Sequence, residues 1–358
     1  MELSISQWVI GLGLAIGVVY GAVGQVSGFC LNSAIRQQIT AGNGHKLRAF
    51  VLAMLVAIVG SQLLDTAGLI DLSQSIYPVS QASWVLTALG GMLFGFGMIQ
   101  ARGCGARSLV LLGQGNLRSL VVLIVMGIAA FATLSGVLGP LRSSLTEATL
   151  VSMQSGTFTS DTDRWAFVAI FGGLLFAFLV KDKGFWQQRI DVMSGVLIGL
   201  LVVAGWVVTG WIGFDEFEPT PLVSLTFVAP VGSTIQYAMI ATGMTLSFGV
   251  VVVFGVLLGS FFAARATGKF RLTGFEQSHS MSRYLVGAVC MGIGGALALG
   301  CSIGQGLTGM STLSFVSMLA FGGICTGAWI ALRLEQSTVP STEPVQRQGS
   351  STQHQQSA

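Results

Sequence analysis

Long apolar segments separated by short polar loops occupy most of the chain. Most of these segments approach or exceed the ~20 residues that an α-helix needs to cross a ~30 Å hydrocarbon core. The pattern predicts an all-α integral membrane protein with about nine transmembrane helices. The predicted helices cover residues 8–26, 47–64, 84–100, 119–139, 165–180, 192–213, 236–264, 285–299 and 313–332.

The composition supports this class of protein. Hydrophobic residues make up 52% of the chain and charged residues 9%, and the mean hydropathy is +0.77. A soluble domain carries about 25% charged residues, so this chain lacks the charged surface that a soluble protein needs. The net charge of +3 comes without a basic stripe interleaved with aromatic residues, which gives no indication of nucleic-acid binding.

The charged residues of the loops are distributed unevenly. Lys and Arg are concentrated in alternate loops, near residues 36–48, 102–118, 181–189 and 265–283, and the other loops are richer in Asp and Glu. By the positive-inside rule, the basic loops lie in the cytoplasm of a bacterium. The protein then spans the inner membrane with a periplasmic N-terminus and a cytoplasmic C-terminus. This orientation requires an odd number of spans, which nine satisfies.

Four stretches interrupt the apolar pattern, at residues 23–33, 101–118, 224–235 and 300–312. They are too polar or too rich in glycine for a membrane helix, and too apolar for ordinary loops. Non-helical backbone at membrane depth is tolerated only where it is buried in protein or lines a wet cavity. We therefore expect short re-entrant or broken segments at these places.

Two of these stretches lie in segments that resemble each other, residues 95–117 and 292–313. Each segment has a Gly-rich helix, a Gly-Cys pair, a Gly-Gln-Gly triplet and a further apolar helix. The glycine directly before each cysteine is expected to let the backbone turn sharply. The first segment follows an inward-going helix and the second an outward-going one, so the two units are inverted. Inverted repeats with broken helices are typical of transporters whose binding site lies near the midplane.

The repeat also suggests how the chain is divided. Residues 1–333 form the predicted transmembrane transporter domain. Its inverted halves cover about 1–140 and 190–333, with a linker helix at about 165–180. Residues 334–358 are polar throughout, which predicts a disordered cytoplasmic tail.

The five cysteines fall into two groups. Cys290 and Cys325 lie inside apolar helical runs, where a free cysteine usually serves as a small packing residue. Cys30, Cys104 and Cys301 each follow a glycine within two residues and lie in the interrupted stretches. Because no C-x-x-C motif is present and no histidine lies near these three, we predict neither a metal site nor a cofactor. The odd number also argues against a disulfide framework.

The three cysteines of the second group are candidate substrate-binding residues. A neutral thiol combines a weak hydrogen-bond donor with a soft, polarisable sulfur atom. A series of thiols can therefore pass a sulfur-containing anion between weak binding sites, as conduction requires. Half-helix N-termini that face the cavity would add positive potential for an anion.

Arg102 and Arg107 flank Cys104, and two interpretations of them are open. The arginines attract an anion from the cytoplasmic side, or they anchor the loop as the positive-inside rule describes. The supporting site residues suggested by the motifs are Gly103, Gly300, Arg107, Gln114 and Gln305.

The cysteine motifs resemble those of a known family. SGFC (27–30), RGCG (102–105) and LGCSIGQG (299–306) are similar to motifs of the YeeE/YedE sulfur-transport family, specifically its full-length thiosulfate uptake transporters. The likeness extends over residues 8–332. It implies an hourglass-shaped bundle with short re-entrant loops. It also implies that thiosulfate enters from the periplasm, is relayed past Cys30, Cys104 and Cys301, and is handed to a cytoplasmic TusA-like sulfurtransferase.

Two alternatives to thiosulfate uptake are open at this point. One is transport of another sulfur or selenium species. The other is a membrane enzyme that oxidises or persulfidates its thiols, which we disfavour because the three cysteines are far apart in the sequence. The G-x-G-x-x-G match at residues 304–309 is no nucleotide-binding fingerprint, because no βαβ unit surrounds it. We therefore expect a transporter in the lipid bilayer and not an enzyme.

Overall fold

The chain folds into a bundle of α-helices in a computed structural model, which describes residues 4–78, 81–152, 157, 160–214, 221–274 and 278–338. Its helices are α1 (Ile5–Ser27), α2 (Leu31–Ala41), α3 (His45–Thr66), α4 (Trp84–Gln100), α5 (Gly105–Gly113), α6 (Leu117–Leu134), α7 (Gly139–Ala148), α8 (Asp161–Val180), α9 (Lys183–Gln187), α10 (Arg189–Val207), α11 (Val228–Met239), α12 (Phe248–Ala266), α13 (Ser278–Leu297) and α14 (Phe315–Thr338). A π-helical turn, Val208–Ile212, extends α10, and another, Gly304–Gly309, lies within a short helix at residues 302–311. Strands β1 (Gln81–Ser83) and β2 (Leu150–Ser152) pair antiparallel, with Gln81 opposite Ser152.

The predicted membrane class is confirmed. Within the described residues, eight helical stretches are long and apolar enough to cross a membrane. The described apolar part of α13, Met281–Leu297, is shorter. Each of the nine apolar segments of the sequence overlaps one of these helices: α1, α3, α4, α6, α8, α10, α12, α13 or α14.

The prediction of one helix over residues 236–264 was wrong. The segment holds the end of α11 and the start of α12, with the break between Met239 and Phe248. The break contains Gly243 and the hydroxyl residues Thr242, Thr245 and Ser247. Glycine and hydroxyl side chains favour turns over helix interiors. Because the residues on either side are apolar, the hydropathy averaged over the segment does not reveal this break.

The boundary of the predicted tail was also wrong. Residues 334–338 continue α14, and only the rest of the predicted tail, 339–358, lies outside the described residues. Glu335 helps to hold this last turn, because its carboxylate lies 2.9 Å from Arg36 and 3.5 Å from Arg283.

Small residues allow the long helices to pack closely, as is common in membrane bundles. A Cβ atom added to Gly255 of α12 would lie 2.5 Å from the backbone oxygen of Leu14 in α1. A Cβ atom on Gly97 of α4 would lie 2.5 Å from the oxygen of Gly287 in α13. Gly90, in the first half of α4, instead packs against Leu297 at the C-terminal end of α13. Helices α4 and α13 therefore run antiparallel.

The interrupted stretches contain more helix than the sequence pattern suggested. The backbone breaks are narrow, at residues 28–30, 101–104, 114–116 and 298–301, and the non-helical residues 221–227 precede α11. Most of the rest of each stretch is helical, in α2, α5, α11 and helix 302–311. These breaks agree with the expected broken segments, and the short helices beside them satisfy most of their own amide and carbonyl groups.

The loops form two faces of opposite charge. On the basic face, Arg48 pairs with Asp182 at 3.0 Å, and Gln114 donates to the carbonyl of Lys269 at 3.2 Å. On the acidic face, Arg164 pairs with Asp65 and donates to Thr66. We call these two ends of the bundle the basic face and the acidic face.

Candidate functional site

Two of the candidate cysteines meet inside the bundle. The sulfur atoms of Cys30 and Cys104 lie 3.6 Å apart, although the residues are 74 positions apart in the sequence. Cys30 is the N-cap residue of α2, and Cys104 is the N-cap residue of α5. Asn32 fixes the arrangement by donating to the carbonyl of Met98 at 2.6 Å, near the end of α4. Both thiols therefore lie at the positive ends of helices.

The turns before Cys104 and Cys301 have the same construction. Arg102 and Leu299 adopt left-handed conformations with φ of 54° and 56°. The amides of Gly103 and Gly300 bond to carbonyls five residues earlier, at 3.1 and 2.9 Å. This is the Schellman ending of a helix. The expectation that Gly103 and Gly300 themselves make the sharp turn was wrong, because the left-handed residue of this motif comes one position earlier.

Cys301 begins the third short helix. It directly precedes helix 302–311, and its sulfur atom accepts a hydrogen bond from the amide of Gly304 at 3.3 Å. The next residue, Ser302, lies beside the thiol of Cys104. Ser302 is fully buried. The start of helix 302–311 therefore adjoins the pair formed by Cys30 and Cys104.

A fourth short helix starts close by. The ring of Phe227, just before α11, lies 5.1 Å from the ring of Tyr20 in α1. The hydroxyl of Thr308 donates to the carbonyl of Leu225 at 2.6 Å, which ties the chain before α11 to helix 302–311. Four short helices thus begin around one region of the bundle interior.

Two buried tyrosines join the three cysteines. Tyr20 interacts electrostatically with Cys30, Cys104 and Cys301. Tyr77 interacts with Cys301 and bonds to the hydroxyl of Thr226. Neither tyrosine was predicted from the sequence. Tyr20 left a weak signal as a polar side chain inside an apolar span, whereas Tyr77 lies in a loop between spans and left none.

Cationic side chains approach the site from the basic face. Arg107 lies one turn after Cys104 and donates to the carbonyl of Gly24 at 2.9 Å, near the end of α1. Lys46 donates to the carbonyl of Ser27 at 2.8 Å. Both cations are well placed to stabilise the negative end of α1. Arg102, by contrast, is exposed.

The two glutamines of the repeated triplets have different surroundings. Gln114 ends α5 on the basic face, where it bonds to the carbonyl of Lys269, and it does not join the cysteines. Gln305 is buried, and its amide donates to the carbonyl of Ala298 at 2.5 Å. Its side-chain oxygen has no partner in the described part of the chain. Gln305 therefore supports the turn that carries Cys301.

The remaining cysteines lie apart from this cluster. Cys290 of α13 and Cys325 of α14 are only partly buried, and all five cysteines are free. Cys290 packs against Gly97 of α4. Across the described ranges, no group of three or more His, Cys, Asp or Glu residues has the arrangement of a metal site.

Cavities open on the acidic face. One of about 170 Å³ is lined by Gln62, Asp65, Arg164 and Thr312, among others. Gln62 donates to the carbonyl of Ser311 at 2.8 Å, so this cavity reaches the end of helix 302–311. A neighbouring cavity of about 1000 Å³ shares Asp65 and Asp71. The hydrogen bond from the Ser73 hydroxyl lowers the pKa of Asp71, which keeps this carboxylate charged at neutral pH.

Comparison with known proteins reveals relatives along nearly the whole chain. The thiosulfate transporter TsuA of Escherichia coli (strain K12) is 26% identical over 345 residues, covering 89% of this chain and 92% of the relative. The thiosulfate transporter TsuA of Spirochaeta thermophila is 25% identical over 343 residues, covering 90% and 99%. The probable transporter YedE of Escherichia coli (strain K12) is 28% identical over 101 residues, which covers 28% of this chain and 23% of that relative.

A family profile gives the same assignment independently of any single relative. The profile described as sulphur transport matches residues 26–330, which include Cys30, Cys104, Cys301 and Tyr77, and helices α2 to α13 in full. The chain is therefore a member of the sulphur transport family.

Proposed function

We propose that this protein imports thiosulfate across the bacterial inner membrane. The observation that carries the proposal is the group of buried thiols at the starts of α2, α5 and helix 302–311, with Cys30 and Cys104 only 3.6 Å apart. Relatives named as thiosulfate transporters cover about 90% of the chain, which supports the choice of ion.

The chemistry of the site suits an anion with a terminal sulfur atom. A thiol hydrogen bond to sulfur is weak, so each thiol holds the ion briefly and several thiols in sequence permit movement. The helix N-termini add positive potential that stabilises the negative charge. The ion passes as an intact anion and no covalent bond forms, so the proposal includes no enzymatic step.

The placement of the thiols suggests an order of contact. Helix 302–311 ends near the acidic-face cavity, through the bond between Gln62 and Ser311. The ion meets Cys301 first and then the pair of Cys30 and Cys104. Arg107 draws it onward toward the basic face.

The distribution of charge supports an orientation. The basic face corresponds to the cytoplasm under the positive-inside rule. The N-terminus is then periplasmic and the C-terminus cytoplasmic. Ions released at the basic face pass to a TusA-like sulfurtransferase. The inverted halves at 1–140 and 190–333 remain a prediction that the antiparallel packing of α4 and α13 supports.

The contact between Cys30 and Cys104 also favours a second candidate function. Thiols 3.6 Å apart are close enough to act as an attacking and a resolving thiol. The separation of Cys30 and Cys104 in the sequence is therefore no argument against a thiol enzyme. A membrane thiol redox or persulfide enzyme would use that pair. Unlike a transporter, it would need an electron acceptor or a sulfur donor for every turnover.

Growth on thiosulfate tests the proposed function. The host is a bacterium that cannot assimilate sulfate and lacks its own thiosulfate importer, and it is supplied with the sulfurtransferase partner. We expect wild type to restore growth on thiosulfate as the sole sulfur source, and Cys104→Ala to abolish it at equal membrane abundance.

Cys325→Ala is the matched control. Cys325 is a partly buried thiol outside the cluster, so its loss is expected to leave growth unchanged. Equal loss of growth in both variants would show that packing, and not the thiol cluster, governs activity. No growth with abundant wild type would contradict thiosulfate import and leave transport of another sulfur or selenium species.

A further inference from the structure

On the basic-face side of Cys30 and Cys104, side-chain contacts join the helices that carry the two thiols. Cys30 begins α2, and the end of α4 leads directly into the turn that carries Cys104. Asn32 of α2 donates to the carbonyl of Met98, near the end of α4, at 2.6 Å. The separation of the two thiols therefore depends on how firmly α2 is held against the end of α4.

A second set of contacts lies one turn further along α2, toward the basic face. Arg36 is four residues after Asn32, so both side chains lie on the same side of the helix. The guanidinium of Arg36 lies 2.9 Å from the carboxylate of Glu335 in the last turn of α14. The same carboxylate lies 3.5 Å from Arg283 of α13, which donates to the side-chain oxygen of Gln100 at 2.9 and 3.1 Å. Because Gln100 is the last residue of α4, one carboxylate connects α2 to the end of α4 through two arginines.

The connection depends on the charge of Glu335. Two arginines share its carboxylate, so removing that charge leaves two cations that repel each other. The group is partly exposed at the basic face, with side-chain exposures of 33% for Arg36, 20% for Glu335 and 47% for Arg283. Ion pairs with this exposure contribute little free energy, about 1 kcal/mol or less. These contacts can therefore break and re-form in the folded protein.

We propose that Glu335 forms an autoinhibitory latch that holds α2 against the end of α4 and so keeps the pair of Cys30 and Cys104 closed toward the basic face. When the ion pairs break, α2 separates from α4 and an anion at the thiols gains access to the basic face. An anion that pairs with the two arginines competes with Glu335 and favours the open arrangement. The role of the latch in transport rests on the proposed function, whereas the latch itself can be tested without thiosulfate.

The rate at which N-ethylmaleimide modifies Cys104 in the purified protein tests the latch, with peptide mass spectrometry as the readout. A buried thiol reacts only when the structure around it opens, so the rate follows the population of the open arrangement. Glu335→Gln removes the charge and keeps the size of the side chain. We expect it to raise the rate at Cys104 about two- to fivefold, the effect of losing a partly exposed ion pair.

Arg36→Gln breaks the same connection from the side of α2. We expect a similar rise in the rate at Cys104. The double variant Arg36→Gln/Glu335→Gln should show no further rise, because both changes remove one shared contact.

Asp182→Asn is the matched control. Asp182 pairs with Arg48 at 3.0 Å on the same face, but this ion pair joins α3 to the start of α9 and not α2 to α4. We expect the rate at Cys104 in this variant to equal that of wild type. The partly buried Cys325 of α14 is the internal reference, and its rate should stay constant in all variants.

Wild-type rates at Cys104 in both Glu335→Gln and Arg36→Gln would overturn the latch. An equal rise at Cys325, or an equal rise at Cys104 in Asp182→Asn, would also overturn it, because general loosening of the bundle would then explain the exposure. The assay contains no thiosulfate, so its result is independent of the growth experiment that tests the proposed function.

Discussion

The charge of Arg107 distinguishes it from the other basic residues near the thiols. Its guanidinium donates to a neutral carbonyl, that of Gly24, and it forms no ion pair with a carboxylate of the described residues. A charged side chain within a membrane protein usually has a partner or a function. With no carboxylate to neutralise it, Arg107 retains its attraction for an anion at the Cys30 and Cys104 pair. Of the two interpretations left open by the sequence, the geometry favours attraction for Arg107 and anchoring for the exposed Arg102.

Substitution of Arg107 should reveal this role. We expect Arg107→Gln to lower the initial rate of thiosulfate uptake about tenfold, the size of effect produced by losing one charged hydrogen bond. Arg107→Lys keeps the charge and should retain part of the rate. Arg102→Gln is the control for loss of a nearby but exposed cation, and it should transport as wild type does. Equal losses in Arg102→Gln and Arg107→Gln would mean that general loop charge, and not proximity to the thiols, sets the rate.

At the scale of elements, the sequence predicted where the helices break but not what the breaks bring together. Glycine and cysteine at 28–30, 103–104 and 300–301 marked three turns correctly. The contact between Cys30 and Cys104 depends on how α2 and α5 dock, for example through Asn32 and Met98, and no local pattern encodes that docking. The helical character of the short segments was missed because composition alone does not show which backbone groups are paired within protein.

Close helix packing through glycine makes a prediction about two neighbouring residues of α14. A Cβ atom on Gly323 would lie 2.7 Å from the backbone oxygen of Ala88 in α4, whereas one on Gly322 meets nothing within 4 Å. Gly323→Ala should therefore cost about 1–3 kcal/mol, as overpacking does. Gly322→Ala should gain about 0.5–1 kcal/mol, because alanine favours helix over glycine.

Thermal unfolding of the two purified variants in the same detergent provides the measurement. The Tm of Gly323→Ala should fall below that of wild type, and the Tm of Gly322→Ala should equal or exceed it. Similar Tm values for both variants would show that α4 and α14 do not pack through this glycine.

At the scale of the whole molecule, the proposed route runs between two faces of opposite charge. Cavities on the acidic face reach the end of helix 302–311, the thiols lie at its start, and Arg107 and Lys46 lie toward the basic face. Hydropathy predicted the membrane class and eight of the nine helical segments as single helices, and it failed over 236–264, where α11 ends and α12 begins. Tyr20 was missed because a single hydroxyl residue in an apolar span is only a weak signal in the sequence.

The most direct test of the central claim is uptake of radiolabelled thiosulfate by the purified protein in proteoliposomes. No electron acceptor, sulfur acceptor or sulfurtransferase is added, so a redox or persulfide enzyme could react with thiosulfate at most once per thiol and could not turn over. We predict that wild type accumulates label above protein-free liposomes, and that Cys104→Ala stays at the protein-free level. Wild-type uptake no greater than that of protein-free liposomes, or full uptake by Cys104→Ala, would contradict thiosulfate transport through the thiol cluster.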